Sequence, residues 1–228
     1  MGNYYISEML LFAGIIISLC AQLYITSSYK KYKTISNKKK LSGFEVAKKI
    51  LESYDLSNVY ITEVSGILSD HYDPSRKVVR LSSEVFHGDS IASASIAAHE
   101  VGHAIQDKEG YSFMRFRSTM FPLVRISSYG GYFAILIGVV FGLIDLIWLG
   151  IAMEIIILLF QLITLPVEFD ASNRAKHNLK RCGILTDNEL KESNSMLTAA
   201  ALTYVASVLT TLFQILRLIV MTGGRRRN

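Results

Sequence analysis

Residues 89–107 read DSIASASIAAHEVGHAIQD, and this stretch decides how the central part of the chain folds. Its large apolar residues recur at helical spacing among many alanines: Ile91, Ile96, Val101 and Ile105. Apolar side chains at that spacing predict a buried α-helix. Asp89 or Ser90 can begin it, because either side chain can accept a hydrogen bond from the free backbone amides of a first turn.

The helix carries the pattern H-E-x-x-H at His99, Glu100 and His103. Residues four apart share one helix face, so both imidazoles can bind the same cation. Zinc accepts two imidazoles and a carboxylate and keeps its fourth position for a water, whose pKa it lowers to about 7. Glu100 would then be the general base for that water, whereas two histidines packed in a core are the alternative interpretation.

The short pattern arises by chance in unrelated chains, so its surroundings matter. Small residues lie before it and within it: Ala97, Ala98, Gly102 and Ala104. They keep the helix slim beside the metal, which predicts a cleft that accepts substrate.

A catalytic zinc needs a third protein ligand. The candidates are His71, His87, His177, Glu168 and Asp170. Glu168 is favoured because it directly follows an apolar run that ends in Leu165 and Pro166, and a proline in the first turn allows a new helix to begin there. Asp170 lies two residues further on and cannot share the helix face of Glu168.

Four apolar runs surround this centre, at residues 9–25, 129–144, 146–165 and 197–221. Each is close to the length that crosses a bilayer, and only Asp145 separates the two central runs, so we expect a tight transmembrane hairpin there. Lysines follow the first run, at Lys30, Lys31, Lys33 and Lys38–Lys40. Because lysines collect on the cytoplasmic side, we expect a multi-pass protein of a bacterial cell membrane with its catalytic region in the cytoplasm.

The first run has no positively charged segment before Met9 and is interpreted as an uncleaved anchor, not as a signal peptide. A fourth crossing would place the basic residues Arg225–Arg227 outside, against the charge rule. The alternatives are that the last run lies partly in the membrane or associates with the catalytic region, with its basic tail inside. The net charge of +5 comes with no RNA-binding or DNA-binding signature, and we expect no nucleic-acid partner. Cys20 and Cys182 form neither a CxxC pair nor a disulfide framework.

The polar stretch after the anchor shows one more helix and two β-rich segments. Ser42 and Glu45 have the spacing of a capping box, which predicts a short amphipathic helix to about Tyr54. Residues 59–64 and 77–82 alternate in character and are separated by turn-forming residues, which predicts a small antiparallel sheet. The expected fold is mainly α with a small β-sheet and several transmembrane helices.

Five segments together resemble the YugP-like family of bacterial membrane zinc metallopeptidases. They are DHYDP at 70–74, VRLS at 79–82, AAHEVGHAIQ at 97–106, LPVEFDA at 165–171 and AAALTYV at 199–205. With the N-terminal anchor, the resemblance covers nearly the whole chain. It implies a membrane-anchored, zincin-like neutral metallopeptidase of the gluzincin kind, distantly similar to HtpX-like and CAAX-prenyl endoproteases, with one Zn²⁺ per chain.

In that family a later E-x-x-x-D motif supplies the third ligand from its glutamate, and the resemblance places this ligand at Glu168. The aspartate position of the motif is occupied by Ser172 in this chain. Asp170 and Arg174 are the candidates to replace that aspartate in its support of a metal ligand.

His71 and Tyr72 precede the second β-rich segment, which is a candidate edge where an extended peptide adds as another strand. Either side chain could donate a hydrogen bond to the oxyanion that forms during peptide hydrolysis. The alternative is that both residues stabilise a turn.

These features divide the chain into five expected parts. They are a membrane anchor at 1–26, the catalytic region at 27–128, a transmembrane hairpin at 129–166, the third-ligand helix with a polar segment at 167–195, and a hydrophobic helix with a basic tail at 196–228.

The predicted function is a zinc-dependent endopeptidase that cuts membrane-associated polypeptides, with another membrane protein or a second copy as a candidate partner in the bilayer. The alternative is a non-catalytic membrane scaffold that contains zinc. Structural zinc sites usually close with Cys or His, and no cysteine lies near the pattern. A transporter or channel would need polar residues repeated through its helices, and few are present.

Overall fold

The computed structural model describes residues 2–225, so Arg226 and Arg227 of the predicted basic tail lie outside the described residues. The described chain is mainly helical with one small sheet, as predicted. Its elements in chain order are α1 (Gly2–Tyr32), α2 (Gly43–Glu52), β1 (Tyr60–Val64), β2 (His71–Asp73), β3 (Val78–Ser82), α3 (Ser83–His87), α4 (Ile91–Lys108), α5 (Ser112–Phe141), α6 (Ile144–Arg181) and α7 (Asp187–Arg225).

Four of the described helices are long and apolar enough to cross a membrane: Tyr4–Tyr32, Ser112–Phe141, Ile144–Arg181 and Asp187–Gly223. The break between α5 and α6 lies at Gly142, before Asp145. Gly142 has a φ of +70°, a left-handed conformation that favours glycine, and Leu143 N donates to the Gly138 carbonyl at 2.9 Å. Asp145 instead lies in the first turn of α6, where the helix dipole stabilises a negative charge.

The chain divides into two compact units. One contains the residues up to Gln22, Phe116–Leu165 and the residues from Leu202 onward. The other contains Leu23–Arg115 and Pro166–Ala201. The second unit therefore holds the sheet and every residue that the sequence analysis assigns to the site.

The sheet has the strand order β1-β3-β2, with β1 parallel and β2 antiparallel to β3. The predicted antiparallel pairing of the two β-rich segments is wrong, because Tyr60 lies opposite Val78 and the two strands run in the same direction. The short strand β2, which the sequence pattern does not indicate, occupies the other side of β3. Consequently β3 is the central strand, and His71 and Tyr72 lie within the edge strand β2 itself.

Helix α2 begins as predicted, since Ser42 and Glu45 form both hydrogen bonds of the capping box. Its apolar face packs into one buried core with β3, α4 and α6. Fully buried members of that core include Ile50, Leu81, Val101 and Leu179. In this core α4 packs against both the sheet and α6.

Helix α6 continues through Pro166, so the prediction of a new helix that begins there is wrong. Proline removes one backbone hydrogen bond, but a long helix tolerates that loss when its neighbouring turns stay intact. Glu168 therefore lies in the interior of a helix and not at its start.

Candidate metal centre

Helix α4 presents the three residues of the H-E-x-x-H pattern. Ser90 caps this helix and accepts a hydrogen bond of 3.0 Å from Ser93 N. The imidazole centroids of His99 and His103 are 4.8 Å apart, with their planes at 84°. Glu100 and His103 are each 8% exposed, so the polar face of the helix lies largely inside the protein.

Glu168 of α6 joins His99 and His103 in a group of three potential ligands. Its Oε2 lies 3.2 Å from Nε2 of His99 and 3.6 Å from Nε2 of His103. One ligand atom from each residue lies within 4.8 Å of the others. Since the ligands of a tetrahedral zinc with bonds of about 2.1 Å are separated by about 3.4 Å, the observed spacing fits a zinc ion between these side chains.

Gly102 allows α4 and α6 to approach closely at this group. A Cβ atom on Gly102 would lie 2.8 Å from the carbonyl oxygen of Ala171 and 3.2 Å from its Cα, which is too close for backbone atoms. Ala97 and Ala98 are likewise fully buried in the core. These small residues let the helix pack closely against its neighbours. That they make room for a substrate cleft stays a prediction.

The other nitrogen of each imidazole has its own partner. Nδ1 of His103 lies 2.9 Å from Oε1 of Gln106, and Nδ1 of His99 lies 3.2 Å from Oγ of Ser172. Contacts of this kind orient a metal-binding imidazole so that its Nε2 faces the metal. Ser172, at the aspartate position of the E-x-x-x-D motif, thus contacts one of the candidate ligands directly.

Asp170 and Arg174 do not contact the imidazoles themselves but belong to the hydrogen-bond network around Gln106. Gln106 Nε2 donates to Asp170 Oδ2 at 2.8 Å, and Arg174 Nε donates to the same oxygen at 2.5 Å. Arg174 also pairs with Glu109 at 2.7 Å. Asp170 does not join the three-residue group, and both residues contact Gln106 or each other instead of the imidazoles.

The side-chain carboxyl group of Glu100 accepts no hydrogen bond from any residue in the described part of the chain. Burial raises the pKa of its carboxyl group, positive charge on the two neighbouring histidines lowers it, and the negative charges of Glu168 and Asp70 raise it. The pKa of Glu100 therefore lies above its ordinary value. Burial alone would lower the pKa of His103, but its hydrogen bond and ion pair with Glu168 outweigh burial and raise that pKa.

His71 and Tyr72 have partners away from the three-residue group. Nδ1 of His71 lies 2.8 Å from the carbonyl oxygen of Ser69, on the exposed side of β2. The Tyr72 hydroxyl donates to Asp107 at 2.7 Å, and burial together with that carboxylate raises the pKa of Tyr72. A direct role of His71 or Tyr72 toward substrate stays a prediction.

The other candidate third ligands also lie elsewhere. His87 pairs with Glu63 at 3.2 Å on the surface, and His177 is exposed on α6. Neither belongs to a group of potential metal ligands in residues 2–225.

Gln106 and Ser172 contact the candidate ligands His103 and His99, and the sequence predicts neither contact. The spacing of both residues along their helices gives one indication. Gln106 lies three residues after His103, and Ser172 lies four residues after Glu168, so each shares a helix face with a candidate ligand. Glutamine and serine are common on helices, however, and spacing alone does not distinguish these two from others.

Comparison with known proteins supports a single family over nearly the whole chain. Residues 7–223 match the family described as "Putative neutral zinc metallopeptidase". The chain is similar to "Putative membrane protease YugP" of Bacillus subtilis (strain 168), with 42% identity over 217 residues that cover 95% of this chain and 96% of that protein. No solved structure matches the chain. Both matches include α4 and α6, which carry the three-residue group.

Proposed function

Since the chain belongs to the neutral zinc metallopeptidase family, we propose that it is a membrane endopeptidase in which His99, His103 and Glu168 hold one zinc ion. In this proposal Glu100 is the general base. The observation that carries it is the meeting of three ligand atoms from two helices beside the buried carboxyl group of Glu100.

The donor set supports a catalytic zinc over a structural one. Catalytic sites use three protein ligands and keep the fourth position for water or substrate, whereas structural sites usually complete it with Cys or His. Among the described residues, the group contains two imidazoles and one carboxylate and no fourth donor of these types. Both cysteines are free, and neither belongs to the group.

When bound, zinc supplies a positive charge that polarises the substrate carbonyl and lowers the pKa of a water to about 7. The Glu100 carboxylate takes a proton from the water as the water oxygen adds to the carbonyl carbon. It then delivers this proton to the peptide nitrogen as the carbon–nitrogen bond breaks. Burial of Glu100 suits both transfers, because it raises the proton affinity of the carboxylate toward the working pH.

We place the catalytic region on the cytoplasmic side of the membrane. One candidate span precedes the chain between α1 and α5, and three precede the chain between α6 and α7. Because both numbers are odd, the chain between α1 and α5 and the chain between α6 and α7 lie on the same side of the membrane. Exposed lysines at 38–40 lie in the first of them, and the positive-inside rule assigns that side to the cytoplasm. The proposed substrates are therefore membrane-associated polypeptides that are accessible from the cytoplasm.

The test is zinc analysis of the purified full chain together with a peptide-cleavage assay, on the wild type and on Glu100→Gln. We expect close to one zinc per chain in both proteins and a turnover that is at least about a hundredfold lower in the variant. Near-normal cleavage by the variant would contradict the role of Glu100. Zinc in both proteins without cleavage by the wild type would favour a non-catalytic membrane scaffold.

A further inference from the structure

Gln106 is fully buried beside the proposed zinc site, and both ends of its carboxamide form hydrogen bonds. Oε1 lies 2.9 Å from Nδ1 of His103. Nε2 donates to the backbone carbonyl of Val167 and to Oδ2 of Asp170, each at 2.8 Å. This one side chain therefore links His103 on α4 to two acceptors on α6.

The two partners of Nε2 determine the orientation of the carboxamide. A backbone carbonyl and a carboxylate can only accept hydrogen bonds, so a carboxamide oxygen in the Nε2 position would be repelled by both. Arg174 donates to the same Asp170 oxygen at 2.5 Å and holds it in place. The carboxamide oxygen of Gln106 must therefore face His103.

This orientation selects one tautomer of His103. Because Oε1 can only accept, Nδ1 of His103 carries the proton, and the neutral imidazole therefore keeps its lone pair on Nε2. Nε2 lies 3.6 Å from Oε2 of Glu168 and is the atom that can bind zinc. We propose that Gln106 is a positioning residue that selects the zinc-binding tautomer of His103, and that Asp170 and Arg174 act through it. This inference rests on the proposed function, since the choice of tautomer matters only if His103 binds zinc.

The partner of His99 does not select a tautomer in the same way. Its Nδ1 contacts the hydroxyl of Ser172, which can either donate or accept a hydrogen bond and so tolerates both tautomers. The hydrogen-bond partner of His103 therefore selects the zinc-binding tautomer, whereas the partner of His99 does not. Removal of the partner of His103 should have the larger effect.

The test is the zinc affinity of the full-length chain in detergent, measured by competition with a chelator. Gln106→Leu keeps the approximate size of the side chain and removes the carboxamide, and it should lower zinc affinity by about 10- to 100-fold. Asn178→Leu is the matched control. Asn178 is also a fully buried amide on α6, and neither of its side-chain amide atoms has a partner among the described residues. Equal losses in both variants would overturn the proposal.

A double variant tests whether Asp170 acts through Gln106. Asp170→Ala should lower zinc affinity in the wild-type background and have little further effect when Gln106→Leu is already present. Additive losses would contradict the proposed chain of contacts.

The tautomer itself gives a readout that depends on neither zinc affinity nor activity. Nitrogen NMR of the metal-free chain with isotopically labelled histidines, at a pH where the imidazoles are neutral, reports which nitrogen carries the proton. His103 is assigned by comparison with His103→Gln. We expect protonated Nδ1 in the wild type, and protonated Nε2 would overturn the proposal even if Gln106→Leu fails to fold. A wild type without zinc affinity would instead contradict the proposed function.

Discussion

The hydroxyl oxygen of Ser172 lies 3.2 Å from Nδ1 of His99, one helical turn after Glu168. The same stretch of α6 thus supplies a proposed ligand and a support for the imidazole opposite it. The sequence resemblance implies an aspartate at this position, and its charge would strengthen the hydrogen bond to the imidazole. His99 is therefore held by a weaker, neutral contact in this chain.

Ser172→Ala should lower zinc affinity by about two- to tenfold, because one neutral hydrogen bond contributes about 0.5–1.5 kcal/mol. Chelator competition on the full chain measures the change. A loss larger than that of Gln106→Leu would contradict the ranking of the two supports.

Gly102→Ala should destabilise the fold by about 1–3 kcal/mol and lower zinc affinity with it. The new Cβ would lie 2.8 Å from the carbonyl oxygen of Ala171, so α4 and α6 must separate and carry Glu168 away from the histidines. Thermal unfolding and zinc binding are the measurements. Gly223→Ala is the control, since a Cβ there meets nothing within 4 Å in another helix. Unchanged stability and zinc binding in Gly102→Ala would rule out the close helix approach.

The starts of α2 and α4 and the candidate metal-binding pair could be predicted from sequence because their determinants are local. Ser42 and Glu45 are three residues apart, and His99 and His103 four, so both patterns are complete within one turn of helix. The position of Glu168 after an apolar run also indicates this residue, although α6 does not begin at Pro166 but continues through it.

The strand pairing and the supports of the imidazoles could not be predicted in the same way. The parallel register of Tyr60 with Val78 depends on β2 lying on the far side of β3, and three residues are too few for a clear strand pattern. Gln106 and Ser172 gain their roles only when α4 and α6 pack together. Their spacing places each on the helix face of a candidate ligand, but that spacing alone does not show which side chain across the interface it contacts.

Glu168→Ala and Asp170→Ala should distinguish a zinc ligand from a residue that supports a ligand through Gln106. Loss of the Glu168 carboxylate should lower zinc affinity by more than about a hundredfold, because two imidazoles alone hold zinc poorly. Asp170→Ala should lose no more than Gln106→Leu, since its oxygen contacts Gln106. Zinc titrations of the two variants measure this difference, and the reverse order would exchange their roles.

A cysteine at Lys39, which is exposed in the chain between α1 and α2, tests the proposed orientation. In a background without Cys20 and Cys182, this cysteine should resist a membrane-impermeant thiol reagent in intact cells and react once the cells are opened. Leu143→Cys, in the turn between α5 and α6, is the opposite control and should react in intact cells. Labelling of the Lys39 position in intact cells would place the catalytic region outside.

The central claim is that His99, His103 and Glu168 hold one zinc ion, and anomalous diffraction at the zinc absorption edge from crystals of the zinc-loaded full chain tests it most directly. We expect a single peak per chain, about 2.0–2.2 Å from Nε2 of each histidine and from a carboxylate oxygen of Glu168. A peak bound by Asp170 or by a third histidine, with Glu168 turned away, would contradict this account.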